Sequence, residues 1–251
     1  MREESTIYER RITIIFVVKR YLSEKGRHFM QSHLAFLHTS PVHVDTFNRL
    51  IEEAALELPT RHIVEEQFLT EARDKGIAQK LDERIRDCIL YAIAEGATVV
   101  LCTCSTIGAS AEKVNNLTDG VIVRVDRPMA EKAVEIGSRI IVAAALESTI
   151  APTSDLILET AKVRRKNVEL IEVFCSNAWG KFEEGNQRGY FGEIAQNIKD
   201  KAPEGDVIVL AQASMAGAAN LCPEISVPIL SSPEIGLMYA ANVWRRQKGG
   251  V

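Results

Sequence analysis

The sequence contains few aromatic residues, no long apolar segment and no excess of basic residues. Aromatic residues make up 6% of the 251-residue chain, which is too few for the stacking platforms that bind single-stranded nucleic acids. The formal net charge is −4, so no basic surplus is available to bind a phosphate backbone. No apolar run approaches the roughly 18 residues of a membrane-spanning helix. We therefore expect neither a nucleic-acid partner nor a membrane partner.

The cysteines do not form a recognisable framework. There are five, an odd number, and their spacing is irregular, which argues against structural disulfides. Free thiols are typical of a reducing compartment, so we expect a cytoplasmic protein. Cys102 and Cys104 form a Cys-x-Cys pair, but no second ligand cluster accompanies it, and we predict no metal site. No pyridoxal-phosphate or nicotinamide motif is present, so no cofactor is expected.

The first 29 residues are predicted to be an N-terminal extension. Residues 12–18 (ITIIFVV) are apolar and follow two arginines. Charged residues follow this segment at once and no cleavage site of small residues is present, which argues against a secretory signal. Met30 lies directly before the first convincing strand. We expect a chain that starts at Met30 to retain the core fold.

From residue 33 onward, short apolar runs alternate with amphipathic stretches, as in parallel α/β proteins. The apolar runs predict strands at residues 33–37, 63–68, 99–103, 121–125, 140–146, 168–174, 207–210 and 227–230. The amphipathic stretches predict helices at residues 42–56, 78–95, 156–165 and 194–201, with two more beginning near residues 126 and 233. The fold class is therefore α/β with parallel sheets.

Corresponding turns recur at nearly constant offsets, which indicates two related units. Thr149 lies 110 residues after Thr39, and Gln212 lies 108 residues after Cys104. A proline that follows a predicted strand recurs at an offset of 105 residues. The predicted organisation is an extension at residues 1–29, a first α/β domain at residues 30–125 with 215–251, and a second at residues 126–214.

Small polar residues follow four of the predicted strands, where open parallel sheets bind their ligands. The clusters are Thr39-Ser40, Cys104-Ser105-Thr106, Ser148-Thr149 and Gln212-Ala213-Ser214. Each cluster alone is explained by helix capping. Four clusters in matching places favour a site for a carboxylate or phosphate, because hydroxyl and backbone N–H groups at helix starts bind such anions.

Cys104 is the strongest candidate for chemistry. A cysteine is often only a small buried apolar residue. Cys104, however, follows an apolar strand and precedes a predicted helix, and a helix start lowers a thiol pKa from its reference value near 8.5. Cys102 falls within the strand and is expected to be packed. The sequence thus leaves Cys104 either as a buried residue or as a reactive thiol.

Two segments resemble the cysteine motifs of the cofactor-independent aspartate/glutamate/hydantoin racemase superfamily. Residues 99–108 (VVLCTCSTIG) resemble the first motif. Residues 206–217 (DVIVLAQASMAG) resemble the second, especially its hydantoin racemase form. Further similarity is found at residues 127–130, Thr149 and residues 227–236, and the resemblance extends over about residues 33–246. It implies two pseudo-symmetric flavodoxin-like domains with an active-site cleft between them, and a homodimer is a reasonable family expectation.

The superfamily's racemases use two cysteines, one on each face of the substrate α-carbon. The first corresponds to Cys104. The second position falls on Gln212 when counted from Asp206, or on Ala213 when counted back from Ser214. Racemisation needs an acid/base group on both faces, so this departure leaves three readings open. They are a racemase with an unidentified second base, a decarboxylase or lyase acting on one face, and a non-catalytic anion-binding module.

The sequence and the resemblance together predict an isomerase-type enzyme acting next to the carboxylate of a small acid or amino-acid derivative. Cys104 and Gln212 are the predicted catalytic residues. The residues predicted to bind the carboxylate are Thr39, Ser40, Ser105, Thr106, Thr149 and Ser214. His38, His43 and Glu147 are weaker candidates for a second base, and ordinary structural or solvated roles are the better interpretation of each.

Overall fold

The computed structural model of the protein describes residues 31–248. The predicted extension at residues 1–29 lies outside the described residues. Two four-stranded sheets with purely parallel pairing organise the described part of the chain. None of its helices is both long enough and apolar enough to cross a bilayer.

The first sheet has the strand order β2-β1-β3-β4. Its strands are β1 (His33–His38), β2 (Thr60–Val64), β3 (Ala97–Cys102) and β4 (Val121–Arg124). The helices between and after them are α1 (Val42–Glu53), α2 (Glu66–Lys75), α3 (Gln79–Ala94) and α4 (Ser105–Glu112). The predicted strand at residues 63–68 is wrong in its second half, because Phe68 and Ala72 lie one helical turn apart and are both buried on α2.

The second sheet repeats this arrangement with the order β6-β5-β7-β8. Its strands are β5 (Arg139–Ala144), β6 (Glu169–Phe174), β7 (Val207–Leu210) and β8 (Ile229–Ser231). Its helices are α5 (Arg127–Ile136), α6 (Ile150–Val163), α7 (Ala178–Glu183) and α8 (Gln187–Lys201), and a 3₁₀ segment spans Ala213–Leu221. The equal strand orders confirm the predicted class of two flavodoxin-like α/β units.

The boundary between the two units differs from the predicted one. Residues 215–231 were assigned to the first domain, but β8 pairs with β7 in the second sheet. The 3₁₀ segment likewise packs against α8 of the second unit. The chain returns to the first sheet only at Ser232, where α9 (Ser232–Lys248) begins and packs on β1, β3 and α1. The apolar segment of β8 is only three residues long, which makes its sheet hard to assign from sequence.

Apolar residues cover both faces of each sheet. On the first sheet, Leu81, Ile85 and Ile89 repeat at helical spacing along α3 and pack on one face. The other face, which includes Phe36 of β1, is covered by α1 and α9. α9 sits close to β4 because it has a glycine at position 236. A Cβ atom there would lie 2.5 Å from the carbonyl oxygen of Val125.

The strand order fixes where a ligand site can form. In each sheet the first strand in the chain is central, the second lies at one edge, and the later strands extend the sheet towards the other edge. A ligand crevice usually forms where this direction reverses, at the carboxyl ends of the two central strands. Thr39 and Ser40 follow β1, and Cys104 follows β3 after one intervening residue. In the second unit, the turn after β5 contains Thr149, and Gln212 follows β7. The two units therefore present equivalent crevices.

Candidate active site

One cavity lies between the carboxyl ends of the two sheets. The space in which the centre of a water molecule fits measures about 40 Å³. One water needs roughly 10–15 Å³ on this measure, so the cavity accepts a small ligand of a few non-hydrogen atoms. All eight residues predicted as catalytic or ligand-binding line it: Thr39, Ser40, Cys104, Ser105, Thr106, Thr149, Gln212 and Ser214. The sequence therefore located the cavity, while the roles of these residues stay predictions.

Cys104 lies at the start of α4 and is 8% exposed. Its backbone is extended, with φ −118° and ψ 116°, so the side chain sits at the position that caps the helix. The Thr39 side chain, the backbone N–H groups of Ile107 and Thr106 and the Thr106 side chain surround the sulfur and favour its thiolate form. The N–H groups are close but make no well-aligned capping hydrogen bond. The sulfur is thus near several donors that also suit an anionic ligand.

Burial outweighs these donors. Removal of the thiol from water raises the pKa of Cys104 above its ordinary value, although the Thr39 side chain and the α4 amides act in the opposite direction. The expectation that the helix start lowers this pKa is therefore wrong for the protein without a ligand. The helix contribution exists, but desolvation is larger. At neutral pH Cys104 is a thiol, and a thiol is suited to donate a proton.

Gln212 is held in one orientation by the turn after β5. Its side-chain oxygen Oε1 accepts hydrogen bonds from the backbone N–H groups of Ala145 and Leu146, at 2.7 and 2.9 Å. Because both partners are donors, they also identify which end of the amide is oxygen. The amide nitrogen Nε2 has no hydrogen-bond partner among residues 31–248. Gln212 thus offers the cavity an N–H donor and no group that exchanges protons near neutral pH.

The predicted carboxylate-binding hydroxyls differ in whether they already form hydrogen bonds within the protein. Ser105 Oγ donates to the carbonyl oxygen of Ala211 at 3.0 Å, and Thr149 Oγ1 donates to the carbonyl oxygen of Leu146 at 2.6 Å. These two hydroxyls already use their hydrogen within the protein. Ser214 Oγ shares a hydrogen bond with the buried Tyr190 hydroxyl at 2.9 Å. Thr106 Oγ1 is buried without a well-aligned partner in the described part of the chain and lines the cavity.

Histidines form a hydrogen-bonded chain behind the cavity wall. Nδ1 of His38 lies 2.8 Å from Oγ1 of Thr103, and its Nε2 lies 2.8 Å from Nδ1 of His62. Nε2 of His62 lies 3.0 Å from Oδ1 of Asn48. Because the amide oxygen only accepts, His62 carries its proton on Nε2, and its Nδ1 then accepts from Nε2 of His38. Oγ1 of Thr103 also lies 3.2 Å from the carbonyl oxygen of Leu37, so its single hydrogen is directed either to that oxygen or to Nδ1 of His38. His38 is therefore a structural residue that holds the turn before Cys104.

His43 differs from His38 because it lines the cavity itself. It is 8% exposed, and its Nδ1 has no hydrogen-bond partner within residues 31–248. Burial lowers the pKa of His43 to about 4. His43 is therefore neutral at pH 7. The sequence treated it as a surface or satisfied histidine, and the structure instead places it in the wall of the cavity.

The buried histidines predict that the protein loses stability in mild acid. Burial lowers the pKa of His43 to about 4 and that of His38 to about 3, whereas both titrate near 6.5 when unfolded. Between these values the unfolded chain binds more protons, so the free energy of unfolding falls as pH falls. His43 alone accounts for a loss on the order of 3 kcal/mol between about pH 7 and pH 4.

Urea unfolding at several pH values tests this expectation. A His43→Gln variant should show a clearly weaker pH dependence than the unmodified chain. Asp45→Asn changes an exposed side chain on the same helix and serves as the matched control. Equal pH dependence in His43→Gln and the unmodified chain would contradict a buried neutral histidine at this position.

Several cavity residues were not predicted from the sequence. Leu69 comes from α2, and Trp179 and Phe182 come from α7. α7 has only six residues, so its apolar pair at a spacing of three was the single available signal. Glu147 is exposed and does not line the cavity, so the structure does not bring this candidate base into the site. Within residues 31–248 no three His, Cys, Asp or Glu side chains form a metal-binding group.

The fold and the cavity define a two-unit parallel α/β protein with a small-ligand site where the two sheets meet. The Asp/Glu/Hydantoin racemase family model matches residues 39–240. This match extends over well more than half of the chain, and the chain belongs to the Asp/Glu/hydantoin racemase family. A comparison with curated proteins gave no match.

Solved structures share this fold at low sequence identity. Glutamate racemase from Francisella tularensis subsp. tularensis SCHU S4 is 12% identical, with a TM-score of 0.67 over 88% of this chain and 83% of that one. A putative Asp/Glu racemase from Yersinia pestis is 13% identical, with a TM-score of 0.65 over 86% of this chain and 100% of that one. Allantoin racemase from Klebsiella pneumoniae is 13% identical, with a TM-score of 0.57 over 86% and 89%. These similarities establish the fold.

Proposed function

We propose that the protein is a cofactor-independent enzyme that moves a proton at the carbon next to the carboxylate of a small acid or amino-acid derivative. The observation that carries the proposal is the position of Cys104. Its thiol lines a small cavity at the start of α4, surrounded by the Thr39 side chain and the α4 amides. Family membership supports a racemase-type reaction, and the thiol is the acid/base group of the cavity wall best suited to it.

The donors near Cys104 suit the developing charge of this reaction. When the α-proton leaves, charge moves onto the carboxylate oxygens of an enolate-like intermediate. The hydroxyls of Thr39, Ser40 and Thr106 and the Gln212 Nε2 amide line the same cavity and supply hydrogen-bond donors. Donors that are already in place stabilise such charge without reorganisation. Ser105 and Thr149 instead maintain the cavity wall, because their hydroxyls donate to backbone carbonyls.

A reaction confined to one face of the carbon is the second candidate, and Gln212 favours it. Racemisation in both directions requires an acid/base group on each face. Gln212 occupies the equivalent crevice of the second unit, and its amide is fixed by Ala145 and Leu146. Burial also raises the pKa of Cys104, which makes it a proton donor at neutral pH. Protonation of an enolate by one thiol is the chemistry of a decarboxylase or lyase.

Proton exchange with solvent tests the proposed function. Small dicarboxylates, amino acids, hydantoins and malonates are incubated with the protein in deuterium oxide and followed by proton NMR. We expect at least one compound to take up deuterium at the carbon next to its acid group. Uptake in one enantiomer only supports the one-faced reaction, whereas uptake in both supports racemisation. Saturable binding without any uptake would instead identify a non-catalytic anion-binding module.

A further inference from the structure

We infer that the ligand of this cavity is a monocarboxylate with an apolar substituent on its α-carbon and no amino group. This inference rests on the proposed function, because it assumes that the small acid is bound beside Cys104. The charges that the cavity wall can neutralise determine which small acids it can bind.

The wall contains no charged side chain. Its polar members are hydroxyls, the Cys104 thiol, the Gln212 amide and the buried His43 imidazole. Its apolar members are Leu69, Leu146, Trp179, Phe182 and Ala213. No Asp, Glu, Lys or Arg of residues 31–248 lines the cavity. The net charge of a bound ligand is therefore balanced only by dipoles and hydrogen-bond donors.

One carboxylate fits this wall. The α4 helix start contributes a partial positive charge, and the amide of Gln212 contributes a donor from the second unit. Thr106 is 92% buried and lines the cavity, and its Oγ1 lies beside the Cys104 sulfur without a well-aligned hydrogen-bond partner in the described chain. Because sulfur is a weak acceptor, a carboxylate oxygen would be a better partner for this hydroxyl. The helix start and Thr106 belong to the first unit, and Gln212 belongs to the second.

An ammonium group does not fit. A buried cation needs a carboxylate or several strong acceptors to replace its hydration. Glu147 and Glu183 each adjoin a wall residue in sequence, but both are exposed and outside the wall. The hydroxyls of Ser105 and Thr149 and one ring nitrogen of the neutral His43 can accept a hydrogen bond. Neutral acceptors compensate a cation far less than a carboxylate does. An α-amino acid would therefore lose binding free energy through its amino group.

The remaining wall favours an apolar substituent. Leu69 of α2 and Trp179 and Phe182 of α7 face the cavity from the two units. The guanidinium of Arg73 lies 5.6 Å from the centre of the Trp179 ring and 3.4 Å from a carboxylate oxygen of Glu183. That cation already has a carboxylate partner and an aromatic ring beside it, and Arg73 is not part of the cavity wall. A second carboxylate on the ligand would lack a counter-ion here.

Matched pairs of ligands test the inference by binding. Isobutyrate differs from alanine, and methylsuccinate from aspartate, only in a methyl group that replaces the amino group. Affinity is read as protection of Cys104 from alkylation, with Cys88→Ser used throughout to remove the half-buried thiol outside the cavity. We expect isobutyrate to protect at least about tenfold better than alanine and better than either diacid, because an unpaired buried charge is costly.

A charge introduced into the wall provides the control. Leu69 is only partly buried, so Leu69→Glu should be tolerated, and Leu69→Gln is its uncharged counterpart. Leu69→Glu should narrow or reverse the preference for isobutyrate over alanine, whereas Leu69→Gln should keep it. Equal or tighter binding of the amino compounds to the Cys88→Ser protein would overturn the inference, as would protection by none of the four.

The result separates this inference from the proposed function. Cys104-dependent deuterium uptake by amino acids would support the proposed enzyme function and contradict a ligand without an amino group. Preferential protection of Cys104 by isobutyrate, without deuterium uptake by any acid, would support the ligand class and contradict the proposed enzyme function.

Discussion

Replacement of Cys104 by serine should reduce solvent-proton exchange by about 10²–10⁴-fold, the usual contribution of a positioned acid/base group. A serine hydroxyl has nearly the size of the thiol but is a far weaker acid, so it transfers a proton poorly near neutral pH. The measurement is the initial rate of deuterium uptake by whichever acid the unmodified protein turns over. Cys88→Ser removes a thiol that does not line the cavity and should keep the full rate.

The companion variant is Gln212→Cys. It places a second thiol after β7, at the position equivalent to Cys104 in the other unit. We expect exchange to extend to both enantiomers, while the single-thiol protein favours one. The substitution also removes the Oε1 acceptor of Ala145 and Leu146, so a thermal melt must accompany the assay. Comparable exchange of both enantiomers by the unmodified protein would refute the one-faced reaction and point to a second base such as His43.

The second large effect concerns the buried ion pair between Arg124 and Asp126. Nε and Nη2 of Arg124 lie 2.7 and 2.9 Å from the two carboxylate oxygens, and the side chains are 3% and 0% exposed. Nη2 also donates to the carbonyl oxygen of Pro152 at 3.3 Å, which connects β4 to the second unit. Asp126→Asn should lower the free energy of unfolding by about 3–5 kcal/mol, because the buried guanidinium loses the carboxylate to which it is hydrogen-bonded.

Urea unfolding measures this loss against a matched surface pair. Lys201 and Glu204 lie 2.9 Å apart with both side chains 45% exposed, so Glu204→Gln should cost less than about 1 kcal/mol. Joint replacement of Arg124 and Asp126 by apolar residues should restore much of the stability lost in Asp126→Asn, since it removes the uncompensated charge. An Asp126→Asn protein as stable as the Glu204→Gln protein would show that the pair is not what stabilises this region.

The sequence predicted the polar half of the cavity because parallel sheets fix where strands end. Thr39, Cys104, Thr149 and Gln212 each follow the carboxyl end of a central strand, and that rule depends only on local apolar runs and turns. The apolar half was missed for a different reason. Leu69, Trp179 and Phe182 reach the cavity only through the packing of α2 and α7, which sequence periodicity does not describe.

The sequence also did not predict the pKa shift of Cys104 or the burial of His43. The position of Cys104 at a helix start was predicted, but the sign of its pKa shift depends on burial by both units. His43 appeared as a residue of the first turn, and only the fold shows that it is enclosed. Such quantities depend on long-range packing and not on neighbouring residues in the chain.

The return of α9 to the first sheet has a consequence for synthesis on the ribosome. The strands of the first sheet are complete once residue 124 has emerged, but the helix that covers part of one face begins at residue 232. Leu34, Phe36, Val99 and Leu101 therefore lack the cover of Leu237 and Trp244 until nearly the whole chain has been translated. The nascent first unit exposes this apolar surface in the meantime, and transiently exposed apolar surface promotes aggregation. Removal of the 17-residue helix α9 would leave the first-translated part of the chain without its cover, and not the part translated last.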